Sequence, residues 1–377
     1  MEPAAAPPGR RPGRWHLSAT CWKMTQKLNN SITDRGCIHR YESPPGLEWD
    51  AVVRQSAHAH LGGAPQWFTV IGQAYGHQPV YLRGEDGEGN PAVLPAFFIR
   101  RRLLGTVMAS MPFLDAGGPC GTPPLTGGLI DCLTAEARTL QAGRLELRCT
   151  RPVELPVRPF LEKVSLVLPL PPDPDRLWRG LDPKVRNQTR KAERSGLSVE
   201  VGGLEYLDAF YQVFATNMRD LGSPVHGKTF FRAILESFGQ AARVVLVRKD
   251  TVPVGGLLSV QFKDTVFVPW ASSLRAYASL CPNMLLYWES LRRACKDGFA
   301  RFDFGRSTRG SGTYRFKRQW GAAEVQLYWY SVPIGGRSVA HVSGNESAWT
   351  LLSQIWQRLP LSVSLVLGPR IRRYLTQ

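Results

Sequence analysis

Asp303 has the clearest position for proton chemistry. The run Phe299–Phe304 alternates as a strand does, with Phe302 and Phe304 on one face and Arg301 and Asp303 on the other. Asp303 falls near the end of that strand, just before Gly305-Arg306-Ser307, where loops at a sheet's end build sites. A carboxylate there can position an acceptor or take its proton. Paired with Arg301 or Arg306, it is instead a salt bridge. No Gly-x-Ser-x-Gly elbow and no catalytic cysteine signature occurs, so a covalent enzyme intermediate is not expected. The second constellation is cationic. Arg186, Arg190 and Arg194 recur at helical spacing, Lys184 and Lys191 form a second stripe, and only Asp182 and Glu193 offset them. Such a face either grips phosphates or is simply solvated.

The whole chain leans the same way. Its 377 residues carry 47 Lys and Arg against 30 Asp and Glu, a formal charge of +17. That balance favours nucleic acid, anionic lipid or phosphorylated substrates. No DNA- or RNA-reading motif accompanies it, so DNA is not an expected partner. The seven cysteines include no Cys-x-x-Cys pair, and His58 and His60 are too close for a helical metal site. We therefore expect no metal and a reducing, cytoplasmic setting. No run of 18 apolar residues suggests a span, and no apolar segment at the N-terminus suggests a secretory signal. Leu359–Leu367, followed by Arg370, Arg372 and Arg373, reads as a buried final helix rather than an interfacial anchor.

The elements that must hold these residues fall into two halves. Val52, Val53, Ala57 and Leu61 recur at helical spacing, and a short helix fits Pro65–Ala74. Strands are expected at Pro79–Arg83, Ala92–Arg100 and Arg144–Cys149, with a helix over 128–142. Leu168–Asp175 holds four prolines and reads as a linker. Beyond it, Asp182 is a good N-cap, Pro183 suits the first helical position, and Gly196 suits the stop. Helices follow at Tyr206–Leu221 and Lys228–Phe238, then a meander of Val244–Arg248, Val254–Phe262 and Val266–Trp270. Asn283 can cap a helix to Lys296, whose apolar stripe is Met284, Tyr287, Trp288, Leu291 and Cys295.

Several stretches of the second half carry a family resemblance. They are Lys184–Ala192, Asn217–Val225, Pro269–Ser273, Cys281–Glu289, Phe302–Ser307 and Gly312–Gly321. Together they resemble the FemAB family of GNAT-like acyltransferases, and in particular FemAB-like proteins of PEP-CTERM/exosortase and exopolysaccharide loci. The resemblance implies an α/β fold of tandem GNAT-like lobes, with mixed, mainly antiparallel sheets flanked by helices. The expected division is a disordered basic tail over 1–45, a first lobe over 46–168, a second over 169–335, and a C-terminal helix over 345–377 packing on the first lobe.

The implied activity is direct acyl or aminoacyl transfer to an amine or hydroxyl of a cell-envelope precursor or exopolysaccharide component. Alternatives are an acyl-CoA-dependent N-acyltransferase and an inactive scaffold of polysaccharide export; the joint presence of Asp303 and Lys317 argues against the scaffold. The Phe316-Lys317 pair resembles one recurring in Fem-type enzymes, where the lysine stabilises developing charge. Asp303 and Lys317 are thus the expected catalytic pair, with Arg306, Tyr314, Ser272, Asn283, Glu289 and Trp270 as substrate-binding candidates. Arg186, Arg190, Arg194 and Lys191 are the polyanion-binding candidates. No tightly bound cofactor is expected. The donor is aminoacyl-tRNA or acyl-CoA, and CoA is disfavoured because Ser272–Asn283 lacks the glycines that let backbone amides approach a pyrophosphate. Expected partners are an envelope glycan or lipid-linked acceptor, tRNA, and an anionic membrane contacted peripherally at the inner face of the cytoplasmic membrane.

Overall fold

The computed structural model describes residues 37–100, 105–335 and 346–376. The first lobe runs β1 (Cys37–Tyr41), α1 (Leu47–Gln55), α2 (Gln66–Tyr75), β2 (Gln78–Glu85), β3 (Pro91–Ile99), β4 (Val107–Ala109), α3 (Pro123–Thr139) and β5 (Arg144–Cys149). Gly76, in the left-handed region at φ +66°, stops α2. The β2–β3 turn is tied by Asp86, whose Oδ1 accepts from the amides of Glu88 and Asn90. β1 pairs antiparallel with β2, so residues 37–41 belong to the sheet and not to a tail. The rest of the expected tail lies outside the described residues.

The second lobe begins with β6 (Lys163–Pro169), α4 (Pro174–Gly180), α5 (Pro183–Arg194), β7 (Leu197–Gly202), α6 (Leu207–Asp220) and α7 (Lys228–Phe238). It continues with β8 (Ala242–Lys249), β9 (Val252–Phe262), β10 (Thr265–Ser273), α8 (Pro282–Lys296), β11 (Arg301–Thr308), α9 (Gly312–Arg318) and β12 (Ala323–Gln326). β13 (Tyr328–Pro333), α10 (Glu346–Gln357) and α11 (Leu361–Arg372) complete the described chain. Asp182 caps α5 by accepting from the Lys184 amide at 2.7 Å. Gly196, at φ +69°, follows its end. α8 differs from expectation: Cys281 is its N-cap, in the left-handed region at φ +58°, and Asn283 lies inside the first turn. Pro282 takes the first position and terminates the preceding 3₁₀ turn.

The proline-dense stretch is structured rather than free. Its first residues end β6, and Asp173 caps α4 by accepting from the Asp175 and Arg176 amides. The two sheets run β1-β2-β3-β4-β5-β13 and β12-β6-β11-β10-β9-β8-β7. The chain therefore crosses between lobes twice: β6 enters the second sheet, and β13 returns to pair with β5 in the first.

The lobes share their largest apolar core. Trp49, Trp67 and Tyr81 of the first lobe and Phe230, Phe231 and Trp270 of the second are buried in it together. Phe230 meets Trp67, Tyr75 and Phe113 across the interface, and Trp270 within its own lobe, at ring separations of 6.5, 5.3, 5.8 and 5.5 Å. We expect one unfolding transition for both lobes, with Phe230→Ala lowering it by about 3–5 kcal/mol. Two separate transitions in calorimetry would contradict this shared core.

The C-terminal segment lies against both lobes. Leu361 and Leu365 pack on the shared core, and a Cβ at Gly368 would stand 3.0 Å from Val225 of the second lobe. The Arg373 guanidinium donates to the Tyr75 carbonyl, and the Phe113 amide to that of Thr376, both in the first lobe.

Candidate functional site

The site forms where β11 bulges. Asp303 faces Val167 of β6, but Arg306 faces Ser165, so β11 carries an extra residue in between. Gly305 takes the turn at φ +75°, where a Cβ would stand 3.1 Å from the Val268 carbonyl oxygen. The turned peptide offers its carbonyls inward: Lys317 Nζ, from α9, donates to the Gly305 and Arg306 oxygens at 2.8 Å each. The Gly305 amide donates to Asp303 Oδ1 at 2.7 Å, and Ser165 Oγ donates to the same oxygen at 2.5 Å. Asp303 Oδ2 faces His60 of the first lobe, 3.7 Å from Nε2.

The first lobe supplies a second carboxylate. Asp115 accepts from the Arg306 amide at 2.8 Å and from its guanidinium at 2.9 Å. Arg306 and Arg148 both lie over the Trp329 ring, and the indole N–H donates to the Asp115 carbonyl at 2.9 Å. Trp329 sits on β13, so the returning strand positions this part of the site.

Electrostatics follow from burial. Taking the Lys317 ammonium out of water pushes its pKa down to about 8, with Asp115 and Asp303 opposing that fall and Arg306 adding to it. Burial alone would raise Asp115, but Arg306, His60 and the Arg306 amide outweigh it and hold the carboxyl below its usual range. Close by, His226 is buried between the Tyr75 hydroxyl at 2.5 Å and Arg372 Nε at 3.0 Å. Burial, then Arg372 and Arg306, keep it well below the usual histidine range, so it stays neutral.

A separate open cavity of about 560 Å³ lies at the start of α8, lined by Asn283, Ser273, Lys184, Gln188 and Arg315 among others. It sits where β10 and β11 part. They pair in parallel only over Thr265–Phe267 and Arg301–Asp303, and each bulges directly afterwards. Arg315 and Phe316 of α9, and Gln319 just past its end, face this cavity, while Lys317 of the same helix reaches the bulge.

The expected residues divide. Asp303, Lys317 and Arg306 come together at the bulge. Asn283 lines the cavity; Ser272, on β10, is buried and accepts from Asn217 Nδ2 at 3.0 Å. Trp270 is not a cleft residue: it belongs to the shared core against Phe230 and Phe231. Glu289 is held on α8 by Arg292 and Arg293 and is absent from the cavity's lining. Tyr314 donates to Glu324 on the edge strand β12. The basic face of α5 splits by helical phase. Lys184 and Gln188 line the cavity, and Lys191 shares their side. Arg186, Arg190 and Arg194 turn away; Arg190 stacks on Trp178, 5.5 Å from the ring centre.

Asp115, His60 and Ser165 were not anticipated. The available signal was glycine. A Cβ at Gly62 would stand 2.0 Å from the Ala116 carbonyl oxygen, and one at Gly117 2.2 Å from the Met111 side chain. Those glycines let the turn after His60 close onto the Asp115 loop.

Comparison with known proteins agrees with this architecture. Residues 183–318 match the model of the acetyltransferase (GNAT) domain. The crystal structure of FemX matches with a TM-score of 0.63 at 14% identity, over 84% of this chain and all of that one. A conserved protein of unknown function from Bacteroides thetaiotaomicron matches at 0.54 and 10% identity, over 78% of this chain and all of that one. No curated protein matches by sequence. Residues 183–318 thus match a GNAT domain, set within a fold of two lobes. The fold as a whole is similar to that of FemX.

Proposed function

We propose that the protein transfers an acyl or aminoacyl group directly onto an amine or hydroxyl of a cell-envelope precursor, with an exopolysaccharide component among the acceptors. The observation that carries this reading is the Lys317 ammonium, buried at the bulge beside Asp303 and Asp115. The acceptor's nitrogen or oxygen bonds to the donor's carbonyl carbon. The charge that develops on the carbonyl oxygen is stabilised by Lys317. The acceptor's proton passes to Asp303, whose Oδ2 is left open by the two donors on Oδ1. The bond from carbonyl carbon to the carrier's oxygen or sulfur breaks, and the carrier leaves with the proton that Asp303 took from the acceptor. The likeness to FemX in fold supports an envelope acceptor.

For the donor we favour a tRNA-linked or other carrier-linked acyl group. Acetyl-CoA is expected to bind no more tightly than about 1 mM. The carrier-linked donor should bind more tightly, with an affinity falling as salt rises. Arg186→Ala and Arg190→Ala should each reduce its log–log salt slope by roughly 0.7–0.9. A CoA-dependent reading is favoured by one observation, the cavity at the α8 N-terminus with Lys184 and Arg315 beside it. Calorimetry with acetyl-CoA and with aminoacyl-tRNA at two salt concentrations separates the two. Micromolar acetyl-CoA binding without tRNA binding would establish the second.

A further inference from the structure

α11 is apolar on two sides, and only one is covered. Its inner stripe, Leu361, Ser364, Leu365 and Gly368, packs against the body. Its outer stripe, Val363, Val366, Leu367 and Ile371, is exposed. α10 repeats the pattern with Leu351, Leu352 and Ile355. Leu351, Leu352, Ile355 and Val366 are 57, 56, 51 and 54% exposed, too much for residues packed into a core. A helix apolar all round is ordinarily buried all round. Leu221, at the end of α6 beside Ser353, adds a further exposed leucine.

The charges around this surface select what covers it. After Glu346, the first residue of α10, no acidic residue occurs as far as Gln377, while Arg358 and Arg370 are exposed within the same segment. A second copy of the chain would bring the same basic surface against it, at a repulsive cost. An acidic lipid surface answers both features: headgroups attract the arginines, and acyl chains take the leucine and valine side chains. We infer that α10 and α11 dock the protein on an anionic bilayer, lying in its surface. Among the described residues no helix is long and apolar enough to cross one. The inner side of α11 ends at Arg372, against His226, so docking would bring the site close to lipid-linked acceptors.

Co-sedimentation of the full chain with vesicles tests this without donor or acceptor, and so apart from the transfer activity. Equimolar phosphatidylglycerol and phosphatidylcholine vesicles should bind the protein, and pure phosphatidylcholine vesicles only weakly. Leu352→Glu/Val366→Glu/Leu367→Glu should lower binding about tenfold or more. Arg358→Ala and Arg370→Ala should each lower it about fivefold on the anionic vesicles. Circular dichroism guards against misfolding of these surface variants. Absence of wild-type binding, or wild-type binding by the folded triple variant, would overturn the inference. So would light scattering that shows a dimer which the triple variant abolishes, since the face would then join two copies.

Discussion

Lys317→Ala is expected to lower kcat by about 10²–10³, the usual cost of removing one positioned donor to a developing oxyanion. Lys317→Arg should not restore it. A guanidinium is a planar fork, and the pocket fits a point donor between two carbonyl oxygens 2.8 Å away. The pH dependence is specific. Burial holds the Lys317 pKa at about 8, so the cation is lost above that pH and turnover falls on a limb that the alanine variant lacks. Stability moves the other way. An unfolded lysine titrates near about 10.4. Between about 8 and that value the unfolded chain binds the extra proton, so raising the pH stabilises the fold. Comparing denaturant midpoints of wild type and Lys317→Ala across that window isolates the effect. Near-wild-type turnover in Lys317→Ala would remove the residue from the mechanism.

Asp303→Asn is the second large effect, with an expected loss of about 10²–10⁴ in kcat and little change in folding. The amide oxygen can still accept from Ser165 and from the Gly305 amide, so the bulge keeps its tie. What disappears is the basic oxygen facing His60. Asp115→Asn should behave differently: it leaves Arg306 without its carboxylate partner in a largely buried position, and a loss of stability accompanies any loss of activity. Measuring kcat beside the melting temperature distinguishes a proton acceptor from a structural anion. Full activity in a folded Asp303→Asn protein would refute the proposed proton path.

Much of the second lobe was legible because its signals are local. Asp182 and Pro183 cap α5 as their types require, and the alternation through Phe302 and Phe304 put Asp303 on the face away from the second core. Lys317 and Arg306 were found through family likeness. What escaped was every contribution from far along the chain. His60, Asp115 and Trp329 meet Asp303 and Arg306 only in three dimensions, and no helical or strand period links them. Trp270 was a substrate-binding candidate by resemblance alone, which does not give the direction of a side chain; its ring faces the shared core. The final helix was expected to be buried from its apolar run, which cannot reveal that α11 has two apolar sides and one neighbour.

The double crossing of strands bears on how this chain is made. On the ribosome, β5 emerges with one edge unpaired and waits until Tyr328–Pro333 has been synthesised before β13 can close it. The intervening residues build the second sheet, so the first to start forming is the last to finish. A nascent chain stalled after β5 would present an open strand edge and half of a divided aromatic core, both targets for chaperones and for mispairing. Expression of residues 37–160 alone should yield an aggregating fragment, and cutting the gene at the proline-dense stretch would separate neither lobe whole.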